Sequence, residues 1–120
     1  RSTLFPYTTL FRSRTGLYAM AGRQTDARNP AFTRALNDVD PDVRKAAIGA
    51  LERIGTEQSV PTLAIALKDR DASVRATAVD ALGEIGGDAA GSLLELALKD
   101  ESEIVREVAA AQLEQMPSAQ

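Results

Sequence analysis

The sequence predicts an all-α fold, a right-handed α-solenoid of about three helix pairs. Three observations carry the prediction: a gapless internal repeat of period 31, apolar residues at helical spacing inside each repeat, and capping residues at fixed places around them. The repeat emerges when AFTRALNDVDPDVRKAAIGALERIG (31–55) is laid over TLAIALKDRDASVRATAVDALGEIG (62–86) and LLELALKDESEIVREVAAAQLEQMP (93–117). Identical columns are Leu36/Leu67/Leu98, Asp38/Asp69/Asp100, Val43/Val74/Val105, Arg44/Arg75/Arg106, Ala47/Ala78/Ala109 and Leu51/Leu82/Leu113. Self-similarity at one fixed period marks supersecondary units that bury their apolar faces on one another.

Taken along the chain, residues 14–29 read as the remnant of a preceding unit or a linker, since Leu17 and Met20 stand one period before Ile48 and Leu51. The array proper spans 30–117, divided as 30–60, 61–91 and 92–117, with a short tail at 118–120. A shorter first helix is expected over about 30–37, 60–68 and 90–99 in the three units, with Pro30, Pro61 and Ser92 near its start. The longer second helix shows apolar residues Val43, Ala47, Ala50, Leu51 and Ile54, repeated as Val74, Ala78, Ala81, Leu82 and Ile85, a helical period. Asp40, Asp71 and Ser102 stand where a side-chain oxygen can accept from the free amides of a first turn. Pro41 follows Asp40 at the first helical position, where its missing N–H is harmless. Gly55 and Gly86 fall just past the last apolar residue, the place for a left-handed cap.

The motif D-x-x-x-x-V-R-x-x-A-x-x-x-L, present as DVDPDVRKAAIGAL, DRDASVRATAVDAL and DESEIVREVAAAQL, resembles the HEAT-like repeats, in particular the short type found in phycobilin lyases. The resemblance covers about residues 30–116. Pro30 and Pro61, eight residues before the aspartate, also match. The third copy departs, with Ser92 for the proline and Pro117 for the closing glycine, as terminal repeats commonly do. The resemblance implies a structural ladder between adjacent repeats, built from Asp38, Asp69 and Asp100 with Arg44, Arg75 and Arg106. Arginine suits such a place because its planar fork can bridge carboxylates or turn carbonyls on two sides. The functional alternative for these residues is an anion site made of stacked arginines.

Composition removes most chemistry. The 120 residues hold no histidine and no cysteine, so the usual zinc and iron ligands are absent, and a serine or threonine has no histidine base. Among HEAT-like relatives, the deoxyhypusine hydroxylases hold iron through His-Glu pairs, which this sequence lacks. Neither a cofactor nor a metal is expected, and the chain is read as non-catalytic. Glu101 and Glu103 read as a solvated turn. GEIGGDAAGS (83–92) resembles a phosphate loop only superficially, lacking the lysine and the preceding strand. With no apolar run near the length of a membrane helix and no signal sequence, the default location is cytoplasmic. The net charge of −3 conceals +5 over residues 1–36 and −8 over 37–120. An acidic array argues against a nucleic acid partner.

What remains is surface. In HEAT-like solenoids the second helices line the concave side, which here would present Lys45, Gly49, Glu52 and Arg53, then Ala76, Asp80, Gly83 and Glu84, then Glu107, Ala111, Glu114 and Gln115. The bland reading is ordinary solvated helix. The functional reading is a groove for a basic or helical segment of a protein partner, and the leading expectation is an interaction scaffold. The alternative implied by the resemblance is a bilin lyase-like subunit that handles a phycobiliprotein or a bilin. The HEAT-like alkylpurine DNA glycosylases represent a third class. They need a basic concave face and aromatics, whereas only Tyr18 and Phe32 lie outside the opening segment here.

That opening segment, RSTLFPYTTLFRS (1–13), stands apart, with Phe5, Tyr7 and Phe11 and no acid. Residues 3–13 resemble, codon for codon, the translation of a widely used sequencing-library adapter, and Arg1-Ser2 repeats Arg12-Ser13. The segment is therefore expected to be an artefact that packs little against the repeats, and the array a piece of a longer one.

Overall fold

The computed structural model of the chain describes residues 26–116. Both the opening 13 residues and most of the remnant expected at 14–29 lie outside them, as does the tail at 118–120. The described chain is six α-helices in three sequential pairs. Helix α1 is Pro30–Leu36 and α2 is Pro41–Ile54; α3 is Val60–Ala66 and α4 is Ala72–Ile85; α5 is Asp88–Ala97 and α6 is Glu103–Gln115. A single 3-10 turn, Glu57–Ser59, leads into α3.

Local chemistry sets most of these boundaries. Asn29 caps α1 by accepting from the Ala31 amide at 2.9 Å, and Pro30 follows at a position that has no amide to satisfy. Asp40 accepts from the Asp42 amide at 2.9 Å and Asp71 from the Ser73 amide at 2.8 Å, opening α2 and α4. Ser102 departs from the expected pattern: its hydroxyl makes no cap bond. The turn before α6 is held by Asp100, whose Oδ1 accepts the Ser102 amide at 2.8 Å.

Gly55 closes α2 in the left-handed conformation, φ 68° and ψ 20°, its amide donating to the Leu51 carbonyl. Gly86 also has positive φ (77°), but its ψ of −170° leads outward, and Gly87 follows at φ 93°. This double glycine turn restarts a helix at once. As a result α5 begins at Asp88 rather than at residue 90, and Ser92 lies inside it. The GEIGGDAAGS stretch is thus a helix end, a turn and a helix start, with Asp88 in the positive first turn of α5.

The helices form two layers. The second helices α2, α4 and α6 pack closely side by side, whereas the first helices α1, α3 and α5 touch one another only lightly. Tight packing in one layer and splay in the other makes the second-helix side the inner side of the stack. The repeated columns form the core between layers. Ala47, Ala78 and Ala109 are fully buried, as are Val74 and Val105, with Val43 nearly so. Phe32, Ile48, Leu51, Leu63, Leu82 and Leu94 supply the largest buried side chains. The small alanines let neighbouring helices approach, and the leucines fill the space between pairs. Cover fails gradually along one column: Leu36 is 5% exposed, Leu67 is half-buried, and Leu98 is 40% exposed.

Candidate functional site

Two of the three motif arginines are buried, which requires partners. The Arg44 guanidinium donates from Nε and Nη2 to the two carboxylate oxygens of Asp69, at 2.8 and 3.1 Å. Its Nη1 donates to the carbonyls of Asp38 and Val39, at 2.7 and 3.2 Å. Arg75 repeats the arrangement one unit on, with Asp100 at 3.0 and 3.1 Å and the Asp69 carbonyl at 2.8 Å. Arg106 holds the Asp100 carbonyl at 2.6 Å in the same way, and its side chain makes no ion pair among the described residues. Each arginine therefore binds the backbone of its own turn and, in the first two units, the carboxylate of the next.

The aspartates do double work. Asp38, Asp69 and Asp100 each accept, through Oδ1, the amide two residues later, which tightens the turn that carries them. At Asp100 burial pushes the carboxyl pKa up, but the Arg75 hydrogen bond, the Ser102 amide and the charges of Arg75 and Arg106 outweigh it. The net pKa lies below the usual range. With their donors already engaged by carboxylates and turn carbonyls, Arg44 and Arg75 offer little to an external anion. The Arg44–Asp69 and Arg75–Asp100 pairs each join side chains of adjacent units.

The residues expected on the concave side lie on the second-helix layer. Lys45, Gly49, Glu52, Ala76 and Gly83 are half-buried, while Arg53, Asp80, Glu84, Glu107, Ala111, Glu114 and Gln115 are exposed. Glu52 on α2 is the perturbed member. Partial burial raises its carboxyl pKa, and the nearby charges of Asp80 and Glu84 on α4 raise it further. The three carboxyls therefore share one region spanning α2 and α4. Lys45 sits near Asp71, whose own pKa is lowered chiefly by the Ser73 hydroxyl and amide. Among the described residues no group of three or more acids is arranged to hold a metal ion.

One residue of this face was not anticipated. Gln112 on α6 is buried and donates from Nε2 to Asp80 Oδ1 at 2.7 Å, across to α4. It fits because Gly83 has no side chain; a β-carbon there would collide with the Gln112 carboxamide. The equivalent of Gln112 in the earlier units is Ala50 and Ala81, and the equivalent of Gly83 is Glu52 in the first. Large and small exchange places between the two helix interfaces. The available signal was this break in two columns at once.

The opposite, first-helix layer carries a groove of about 830 Å³ running from the end of α1 across α3 to α5, with Ile65, Leu67, Leu93 and Leu96 among its walls. A shallower hollow adjoins it around Leu96, Leu98 and Lys99. No helix among the described residues is long and apolar enough to cross a membrane.

Paired helices in two layers, stacked in register and pinned by a buried arginine–aspartate pair at each boundary, define a short helical-repeat protein. A family model described as HEAT repeats matches residues 29–114, and the chain belongs to that family. No curated protein matches it individually.

Proposed function

We propose that the chain is a non-catalytic protein-interaction scaffold whose second-helix face docks a basic, helical segment of a partner. The observation that carries this is the carboxyl group of three, Glu52, Asp80 and Glu84, on the inner layer. Glu52 is destabilised as a charge by burial and by its two neighbours, and a cation laid across α2 and α4 would relieve it. HEAT repeats generally serve as protein-binding scaffolds, and the array is acidic where such a segment would lie. A narrower form follows from the short-repeat motif, in which the partner is a phycobiliprotein or its bilin; a change in bilin absorbance on mixing is its requirement.

The test is an NMR titration with a Lys/Arg-rich amphipathic peptide. Amide signals around Glu52, Asp80 and Glu84 should shift, and the shifts should disappear in the Glu52→Gln/Glu84→Gln protein. Perturbations confined to the first-helix layer, or shifts that survive the double substitution, would refute the reading.

A further inference from the structure

The first-helix side has the reverse chemistry. Three large apolar side chains lie exposed together there: Ile65 (46%), Leu96 (65%) and Leu98 (40%). Ile65 and Leu96 face the same groove, and Leu96 also borders the hollow containing Leu98. They occur because α3 and α5 are splayed, so the column that holds Ile65 and Leu96 is not covered by a neighbouring helix. Isolated exposed apolar residues are ordinary, but a contiguous cluster of them beside a groove marks an interaction surface.

Cations edge this surface. Lys68 and Arg70 come from the turn after α3, and Lys99 from the turn after α5. None of the three side chains forms a hydrogen bond or ion pair among the described residues. The two aspartates in the groove wall do not offset them, because Asp69 is gripped by Arg44 and Asp100 by Arg75. Glu95 borders the hollow beside Lys99 but makes no ion pair with it. The groove thus has an apolar floor of Ile65, Leu67, Leu93 and Leu96, with Lys68, Arg70 and Lys99 uncommitted around it. Against them stand Glu95 and a second exposed acid, Glu101, which lies 3.9 Å from Arg75.

We propose that this groove docks an acidic amphipathic peptide segment of a partner protein. Its apolar side chains would seat between Ile65 and Leu96, and its carboxylates would lie along Lys68, Arg70 and Lys99. Apolar burial supplies the affinity, while the exposed charges set the sign preference and the association rate. A basic segment would meet like charge at three positions. The surface is separate from the acidic face and opposite to it in sign, so the two readings stand or fall independently.

A displayed library of short random peptides selected on the whole chain tests the proposal. Enriched sequences should be net acidic with at least two apolar residues. The best binder, followed by fluorescence anisotropy, should lose about tenfold or more in affinity in Lys68→Glu/Arg70→Glu and in Leu96→Ser. It should be indifferent to Glu52→Gln/Glu84→Gln. All these positions are exposed or half-buried, and circular dichroism verifies that the variants fold. Enrichment of basic or uncharged peptides, no enrichment, or an affinity unchanged by the groove substitutions would overturn the proposal. So would vesicle binding with phosphatidylserine, or a concentration-dependent dimer, that Lys68→Glu/Arg70→Glu abolishes, since either gives the groove a different occupant.

Discussion

Arg44 and Asp69, 25 residues apart, are joined across the first repeat boundary by two hydrogen bonds of 2.8 and 3.1 Å. Both side chains are almost fully buried, 3% and 7% exposed. In such a site the pair is weak evidence of net stabilisation, but removing one member leaves the charge of the other buried and uncompensated, with only its backbone partners, at a cost of about 3–5 kcal/mol. Arg44→Ala and Asp69→Ala should each lower stability by that amount in urea unfolding. For a small domain this can remove cooperative folding altogether. Replacing both with apolar residues should recover much of the loss but not all, because Asp69 also accepts the Asp71 amide. A cost under about 1 kcal/mol for either single substitution would show that the boundary is held by apolar packing alone.

Arg106 provides the internal comparison. It keeps the bond to its own turn carbonyl but has no carboxylate among the described residues, and it is less buried than Arg44. Arg106→Ala should therefore cost only about 1 kcal/mol, the worth of one hydrogen bond, against about 3 kcal/mol or more for Arg75→Ala. Equal losses at the two positions would mean that the turn carbonyl, rather than the carboxylate, is the important partner.

The contrast between these arginines also shows what was legible in the sequence. The period of 31, both layers of helices and the capping roles of Asp40, Asp71 and Gly55 follow from local rules that act within a few residues. The six-residue spacing of Asp and Arg is also local, but it corresponds to a bond with the aspartate's backbone carbonyl. The carboxylate comes from 25 residues on, a distance set by how units stack. Gln112 was hidden for a similar reason: its partners Asp80 and Gly83 lie on another helix, and its column holds alanine elsewhere. The early start of α5 was missed because position 92 was aligned with Pro61, whereas the glycines at 86 and 87 decide where the chain turns.

Gly83 and Gln112 should prove strongly coupled. In a free helix Gly83→Ala would gain about 1 kcal/mol. Here the new methyl displaces the Gln112 carboxamide and breaks its bond to Asp80, which offsets about 1 kcal/mol or more. Alone, Gly83→Ala should be neutral or destabilising. In a Gln112→Ala background the obstruction is gone, and the same substitution should stabilise by about 1 kcal/mol. A double-mutant cycle in urea should return a coupling of about 1–2 kcal/mol; additive effects would mean that Gln112 moves aside without loss.

Glu52 should give the acidic face a pH signature. Its folded-state carboxyl pKa is raised, first by burial and then by Asp80 and Glu84, so the folded protein binds its proton more tightly than the unfolded chain does. The sign follows: the penalty is absent below the unfolded value of about 4.3, grows as pH rises from there, and is complete above the raised value. Glu52→Gln should accordingly stabilise the protein at pH 7 by roughly 0.5 kcal/mol, a small amount because the group is only partly buried. The gain should disappear below about pH 4, where both forms are neutral. Asp100, lowered in the folded state, contributes stability lost as pH falls, but equally in both proteins, so the difference between them isolates Glu52. Thermal melts of the two proteins at a series of pH values provide the measurement. A gain that is constant with pH would assign it to packing of the amide, and a loss at pH 7 would show that the Glu52 charge is satisfied within the chain and has no need of a cationic partner.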